Sequence, residues 1–128
     1  MAFIPRFLRR LRTEPLAWIE AEELKASLDA DEPPLIVDVR SRAEFEGELG
    51  HIGPALNLPI EDLPMRIAVL GGARRRRVAL VCHTDKRSVK GAEILRAAGF
   101  ADVVVLRGGI ARWRAAGHPV WQAQRGMG

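Results

Sequence analysis

The sequence contains one cysteine, no tyrosine and only 5% aromatic residues in 128 positions. A single cysteine cannot form an internal disulfide, which is typical of proteins in a reducing compartment and favours the cytoplasm. No apolar run approaches the roughly 18 residues that a membrane-spanning helix needs. With 48% hydrophobic and 28% charged residues, the composition is typical of a soluble globular protein, and the length fits one domain.

The net charge of +4 raises the question of nucleic-acid binding, and the charge distribution argues against it. Eight of the 20 cationic side chains lie in two clusters, Arg6, Arg9, Arg10 and Arg12, and Arg74, Arg75, Arg76 and Arg77. Elsewhere 12 cationic side chains face 16 acidic ones, so the basic character is local. Few aromatic residues are available to stack on bases, and no nucleic-acid motif is recognisable.

The amino-terminal segment, residues 1–15, is basic and places Phe3, Phe7 and Leu11 four positions apart. This spacing predicts a short amphipathic helix, which we interpret as an N-terminal arm that is packed or solvated. Peripheral contact with a membrane surface or a partner is the alternative. We expect the folded domain at residues 16–122 and a C-terminal tail at residues 123–128.

Apolar, β-branched runs alternate with helical patterns along the chain. Buried strands are predicted at residues 35–39, 78–82 and 103–106, with a weaker strand at 55–58. Helices are predicted at residues 20–28, 41–46, 60–70, 88–98 and 110–116, the third of them ended by Gly71 and Gly72. Continuously apolar strands that alternate with helices predict an α/β protein with a mainly parallel sheet covered on both faces.

Ligands of such sheets bind at the carboxyl ends of the strands. This rule selects residues 38–41, 82–88 and 107–109 as the places where a site would form. Asp38 and Arg40 close the first strong strand at that edge, and they either orient the loop after Cys82 or fix the geometry between strand and loop. Ser88 begins the helix that follows the same loop.

The only cysteine, Cys82, ends a predicted strand, and five residues separate it from the helix expected to begin near Ser88. A loop this short must curl, and the N–H groups of a curled loop before a helix form a cradle for an anion. A thiolate is favoured in such a place and beside Lys86 and Arg87, whereas Asp85 opposes it. The alternative is a small buried side chain, the commonest role of a lone cysteine that ends an apolar strand.

Several short motifs follow one another in order: LIVDVR at 35–40, EF at 44–45, GHI at 50–52, ALNLP at 55–59, VCHTDKRS at 81–88, AAGF at 97–100 and LRGGIARW at 106–113. Together they resemble a single-domain rhodanese, a sulfurtransferase module, over roughly residues 18–120. The resemblance implies a three-layer α/β/α sandwich on a five-stranded, mainly parallel sheet. It also implies that Cys82 is the catalytic nucleophile and that no cofactor takes part. Three scattered histidines and one cysteine predict no metal site.

The length of the loop distinguishes two chemistries within the resemblance. Rhodaneses that handle sulfur have four residues between the cysteine and the arginine, whereas related phosphatases have five and a larger cradle. This chain has four, which favours a single sulfur atom over a phosphate. The resemblance therefore makes the loop the substrate site, with the residues His83, Thr84, Asp85, Lys86 and Arg87. Asp85 is a departure, because family members often carry glycine there.

The sequence thus predicts an enzyme of the thiosulfate sulfurtransferase type. Cys82 attacks a small anionic donor such as thiosulfate, becomes a persulfide, and passes the sulfur to cyanide, a thiol or a protein acceptor. The alternative is a rhodanese-like binding or sulfur-relay module with little turnover of its own. A phosphatase or oxyanion reductase is a third hypothesis, which the loop length disfavours.

Overall fold

The computed structural model describes residues 15–122, so the predicted tail and nearly all of the predicted arm lie outside the described residues. Within that range the elements are, in chain order, β1 (Ala17–Ile19), α1 (Ala21–Ser27), β2 (Leu35–Asp38), α2 (Arg42–Phe45), β3 (Leu56–Asn57), α3 (Leu63–Arg66), β4 (Val78–Val81), α4 (Lys86–Ala97), β5 (Val103–Leu106) and α5 (Gly109–Ala115). A 3-10 helix, Ile67–Ala73, continues α3.

The strands form one sheet in the order β1-β5-β4-β2-β3, and every described pair is parallel. Asp38 is opposite Val81, and Leu80 is opposite Val105. The carboxyl ends of β2, β4 and β5 therefore lie at one edge of the sheet, as the sequence predicts for the site.

Side chains of β4 alternate between the two faces of the sheet, because successive residues of a strand point to opposite sides. Val78 and Leu80 belong to an apolar cluster that also contains residues of α3, the 3-10 helix and α4. Ala79 and Val81 belong to a second cluster that contains residues of α1 and α5. Helices thus cover both faces, and the predicted three-layer α/β/α sandwich is confirmed.

Three elements differ from the sequence predictions. The helix predicted at 60–70 begins at Leu63, with a proline in its first turn, and continues as a 3-10 helix through Gly71 and Gly72, so these glycines do not end it. Helix α4 begins two residues early, at Lys86. Strand β1 was not predicted, because three residues are too short for a periodic signal.

The second arginine cluster lies at the opposite edge of the sheet, just before β4. Arg74 and Arg76 donate to the carbonyl oxygens of Ala98 and Pro33, and Arg77 pairs with Asp102 at 3.1 Å. These exposed side chains therefore fasten neighbouring loops. Among residues 15–122, no helix has the length and apolar character that crossing a membrane requires.

Candidate active site

The loop after β4 carries Cys82 and leads directly into α4. The free thiol is only 2% exposed, and the backbone N–H of Ser88 points at its Sγ at 3.4 Å. His83 and Thr84 are exposed at the surface of the loop. The thiol is thus buried, as expected for a cysteine that serves as a small core side chain. It also lies at the amino-terminal end of a twelve-residue helix, as expected for a nucleophile.

The carbonyl groups of this loop face α5. The N–H of Ile110 donates to the Cys82 carbonyl at 2.9 Å, and the N–H of Ala111 donates to the His83 carbonyl at 3.1 Å. The first N–H groups of a helix have no partner within the helix, so these bonds satisfy donors of α5 and acceptors of the loop together. Hydrogen bonds from α5 therefore hold the loop in its curled conformation.

Gly109 makes this close approach possible. A Cβ at this position would meet the carbonyl oxygen of Cys82 and would lie 2.6 Å from those of both His83 and Thr84. Its φ of +56° is also one that residues with a side chain rarely adopt. The second glycine of the RGG sequence is therefore required by contact with the loop as well as by its backbone conformation.

The backbone N–H groups of residues 83–87 are left without partners. Within the described part of the chain none of them donates a hydrogen bond, because residues 83–85 precede α4 and the next two form its first turn. These donors belong to the loop that carries Cys82 and to the first turn of α4, and the N–H of Ser88 in the same turn points at Sγ, an arrangement that suits an anion.

Asp85, the residue that departs from the family pattern, has a backbone φ that residues with a side chain adopt. Its φ is −133°, so the position does not require glycine. Its Oδ1 accepts a hydrogen bond of 2.7 Å from the N–H of Gly108. The carboxylate therefore fastens the loop to the start of α5.

Arg87 is held by a carboxylate that the sequence reasoning did not assign to the site. Its Nη1 and Nη2 donate to Oε1 and Oε2 of Glu44 at 2.6 and 2.9 Å, a two-pronged contact. The Arg87 hydrogen bond is the main cause that lowers the pKa of Glu44 from 4.5 to about 2, with bonds from Ser41 adding to it against the desolvation of the carboxyl. Glu44 in turn raises the pKa of Arg87, and the charges of Cys82 and Asp38 act in the same direction.

Asp38 and Arg40 form a fully buried ion pair beside this site. Nε and Nη2 of Arg40 lie 3.0 and 2.8 Å from the two carboxylate oxygens, and Nη2 also donates to the Gly50 carbonyl at 2.7 Å. A further bond reaches the Glu44 carbonyl at 3.4 Å. These partners belong to α2 and the following turn, which agrees with the hypothesis that the pair fixes the geometry after the strand.

Two open clefts adjoin the Arg87–Glu44 pair, one lined by Glu44 and the other by Arg87. One, of about 390 Å³, is lined by Arg40, Ala43, Glu44, Gly47, Glu48, Leu49 and His83. The other, of about 290 Å³, is lined by Ile60, Glu61, Lys86, Arg87 and Lys90. The first has two carboxylates and one arginine beside apolar residues, whereas three of the five residues that line the second are cationic.

All the residues predicted for the site occupy this edge of the sheet. The loop residues 82–87 form the curl, Ser88 is buried beneath it, and Asp38 and Arg40 lie under α2. The Oγ of Ser88 has no hydrogen-bond partner among the described residues. Glu44 was missed as a contributor to the site, although it lies within the EF sequence, whereas Gly109 lies in the segment 107–109 that the sequence analysis selected without giving the glycine a role.

The chain matches the model of the Rhodanese-like domain over residues 20–116. It is 34% identical over 102 residues to a sulfurtransferase of Allochromatium vinosum, an alignment that covers 80% of this chain and 92% of the relative. It superimposes with a TM-score of 0.75 and 32% identity on the crystal structure of a thiosulfate sulfurtransferase from Pseudomonas aeruginosa, covering 85% of this chain and 21% of that one.

A third relative has a different activity. The chain is 32% identical over 97 residues to a tRNA uridine(34) hydroxylase of Sodalis glossinidius, of which the alignment covers 27%, against 73% of this chain. The protein belongs to the rhodanese-like domain family, a family that includes sulfurtransferases.

The contact between Gly109 and the loop can be tested by Gly109→Ala, with Gly117→Ala as the matched control. Both glycines have positive φ, but a Cβ at Gly117 meets nothing within 4 Å. We expect Gly117→Ala to lower the free energy of unfolding by about 1 kcal/mol and Gly109→Ala by about 2 to 4 kcal/mol, measured in urea. Equal losses of unfolding free energy in the two variants would contradict a close contact between Gly109 and the loop.

The Glu44–Arg87 pair predicts a dependence of stability on pH. Because folding lowers the pKa of Glu44 from 4.5 to about 2, its contribution to stability is complete above about pH 4.5 and is lost as the pH falls toward 2. Glu44→Gln retains a side chain that can serve the capping box at Ser41. The difference in unfolding free energy between wild type and this variant should shrink between about pH 6 and about pH 3. A difference that stays constant would show that the pair does not act as described.

Proposed function

We propose that this protein is a sulfurtransferase that carries a sulfane sulfur as a persulfide on Cys82. The observation that carries the proposal is that the N–H groups of residues 83–87, in the loop that carries a buried thiol, have no hydrogen-bond partner among the described residues. Such donors stabilise a charge that develops at a fixed point, here the terminal sulfur of a persulfide. The similarity to proteins named as sulfurtransferases supports the same conclusion.

The first half of the reaction loads sulfur onto the cysteine. The Cys82 thiolate attacks the outer sulfur of a donor such as thiosulfate, and a new S–S bond forms to Sγ. The S–S bond of the donor breaks, its electron pair leaves with sulfite, and the negative charge of the thiolate passes to the terminal sulfur. No oxidant is needed, because the sulfane sulfur is transferred at the oxidation level that it already has in the donor, and no general base is needed, because the attacking group is already a thiolate.

The second half returns the enzyme to its thiolate. Cyanide or a thiolate attacks the terminal sulfur, the S–S bond to Sγ breaks, and its electron pair remains on Cys82. Because Sγ is nearly buried, the donor and acceptor must approach end-on through the loop. Within the proposal, a thiol of a partner protein can serve as acceptor, and the lone cysteine agrees with a reducing, cytoplasmic setting.

A sulfur-loading experiment tests the proposal. Incubation with thiosulfate should add about 32 Da to the intact mass of wild type, and dithiothreitol should remove it. Cys82→Ser provides the matched control, since it removes the only thiol of the chain. No added mass on wild type, or the same addition to Cys82→Ser, would overturn the proposal.

A relay module is the second candidate, which the tRNA uridine(34) hydroxylase supports because a similar domain forms part of a protein with another activity. The release of thiocyanate from thiosulfate and cyanide separates the two. Repeated turnover identifies an enzyme, whereas a loaded Cys82 that cyanide discharges only slowly identifies a relay.

A further inference from the structure

The Arg87 guanidinium, a cation at the end of the loop, already has an anionic partner. Both carboxylate oxygens of Glu44 bind it, and the resulting low pKa keeps Glu44 ionised at any ordinary pH. An incoming dianion such as thiosulfate must therefore approach a neutralised arginine and a fixed carboxylate. Like charges placed close together disfavour a ligand and so act as a selectivity device.

The cleft on the Glu44 side has the character of a site for an organic group. It has a volume of about 390 Å³, and Ala43, Gly47 and Leu49 contribute apolar surface next to His83 of the loop. Sulfite, as a leaving group, gains nothing from apolar walls, whereas an aryl or alkyl group would bury surface there. His83 belongs to the loop itself and follows Cys82 directly, so an organic group bound in this cleft would lie next to the loop that carries the reacting sulfur.

We infer that Glu44 and this cleft select organic sulfane-sulfur donors of low negative charge over inorganic thiosulfate. The inference rests on the proposed function and names the class of donor for the same site: a thiosulfonate or an organic persulfide, whose sulfane sulfur is bonded to a group with a carbon skeleton. Glu44 acts here through its charge and is not a catalytic residue.

Two donors that differ in charge and in the group bonded to the sulfane sulfur test the inference. Thiosulfate is a dianion, and benzenethiosulfonate is a monoanion that delivers the same sulfur and releases benzenesulfinate. Glu44→Gln removes the charge at the site, and Glu46→Gln removes one from the exposed end of the same helix, where Glu46 pairs with Arg42. The measured quantity is the ratio of the kcat/KM values of the two donors, compared between variants. The intrinsic reactivity of each donor is the same in every variant and therefore cancels in this comparison.

We expect Glu44→Gln to raise kcat/KM for thiosulfate by about fivefold to tenfold and to change that for benzenethiosulfonate by less than about twofold. Glu46→Gln should leave the ratio of the kcat/KM values for the two donors as it is in wild type. Equal ratios in the two variants would overturn the inference. An equal loss with both donors in Glu44→Gln would also overturn it, because the pair would then serve only to hold the loop.

A second variant tests the apolar wall independently of the charge. Leu49 is 37% exposed and lines the cleft, so Leu49→Ala should fold normally. It should lower kcat/KM for benzenethiosulfonate by about threefold or more and leave thiosulfate within about twofold. Unchanged selectivity would refute the role of the cleft. Because the expected effect of the Glu44 charge on thiosulfate is only about fivefold to tenfold, thiosulfate should still load wild type. Failure of thiosulfate to load it at all would instead refute the sulfurtransferase proposal itself, which keeps the two failures distinct.

Discussion

The site depends on one constraint: the carbonyl groups of the Cys82 loop are turned toward the first turn of α5. Hydrogen bonds from Ile110 and Ala111 take the carbonyls of Cys82 and His83, and Gly109 allows the two backbones to approach closely. A peptide group that directs its carbonyl outward directs its N–H the other way. The anion cradle is thus a consequence of how β4, α4 and α5 meet at the carboxyl edge of the sheet.

Several charged side chains around this cradle are held by fixed partners. Asp38 neutralises Arg40 in the interior, where an unpaired charge would be costly. The carboxylate of Asp85 accepts a hydrogen bond from the N–H of Gly108. Glu44 takes the guanidinium of Arg87. Backbone N–H groups and the α4 dipole add to the positive potential at Sγ, and such dipoles are less sensitive to salt than exposed side-chain charges.

Much of the fold could be predicted because its signals are local. The apolar runs at β2, β4 and β5 mark the sheet, and the spacing from Cys82 to Arg87 defines the loop. What escaped prediction depends on tertiary contact: β1 is a strand only because β5 pairs with it, and Glu44 reaches Arg87 from 43 positions away. The doubt about Asp85 could not be resolved without knowing that Gly108 lies beside it.

The most direct test of the account is a backbone amide NMR comparison of the protein before and after sulfur loading, with Cys82→Ser treated in the same way. If the free N–H groups hold the terminal sulfur, the largest proton shifts on loading should fall on residues 83–88, and the variant should show none. A protein that carries the added sulfur while these amide signals stay unchanged would contradict the claim that the loop is built to hold a persulfide.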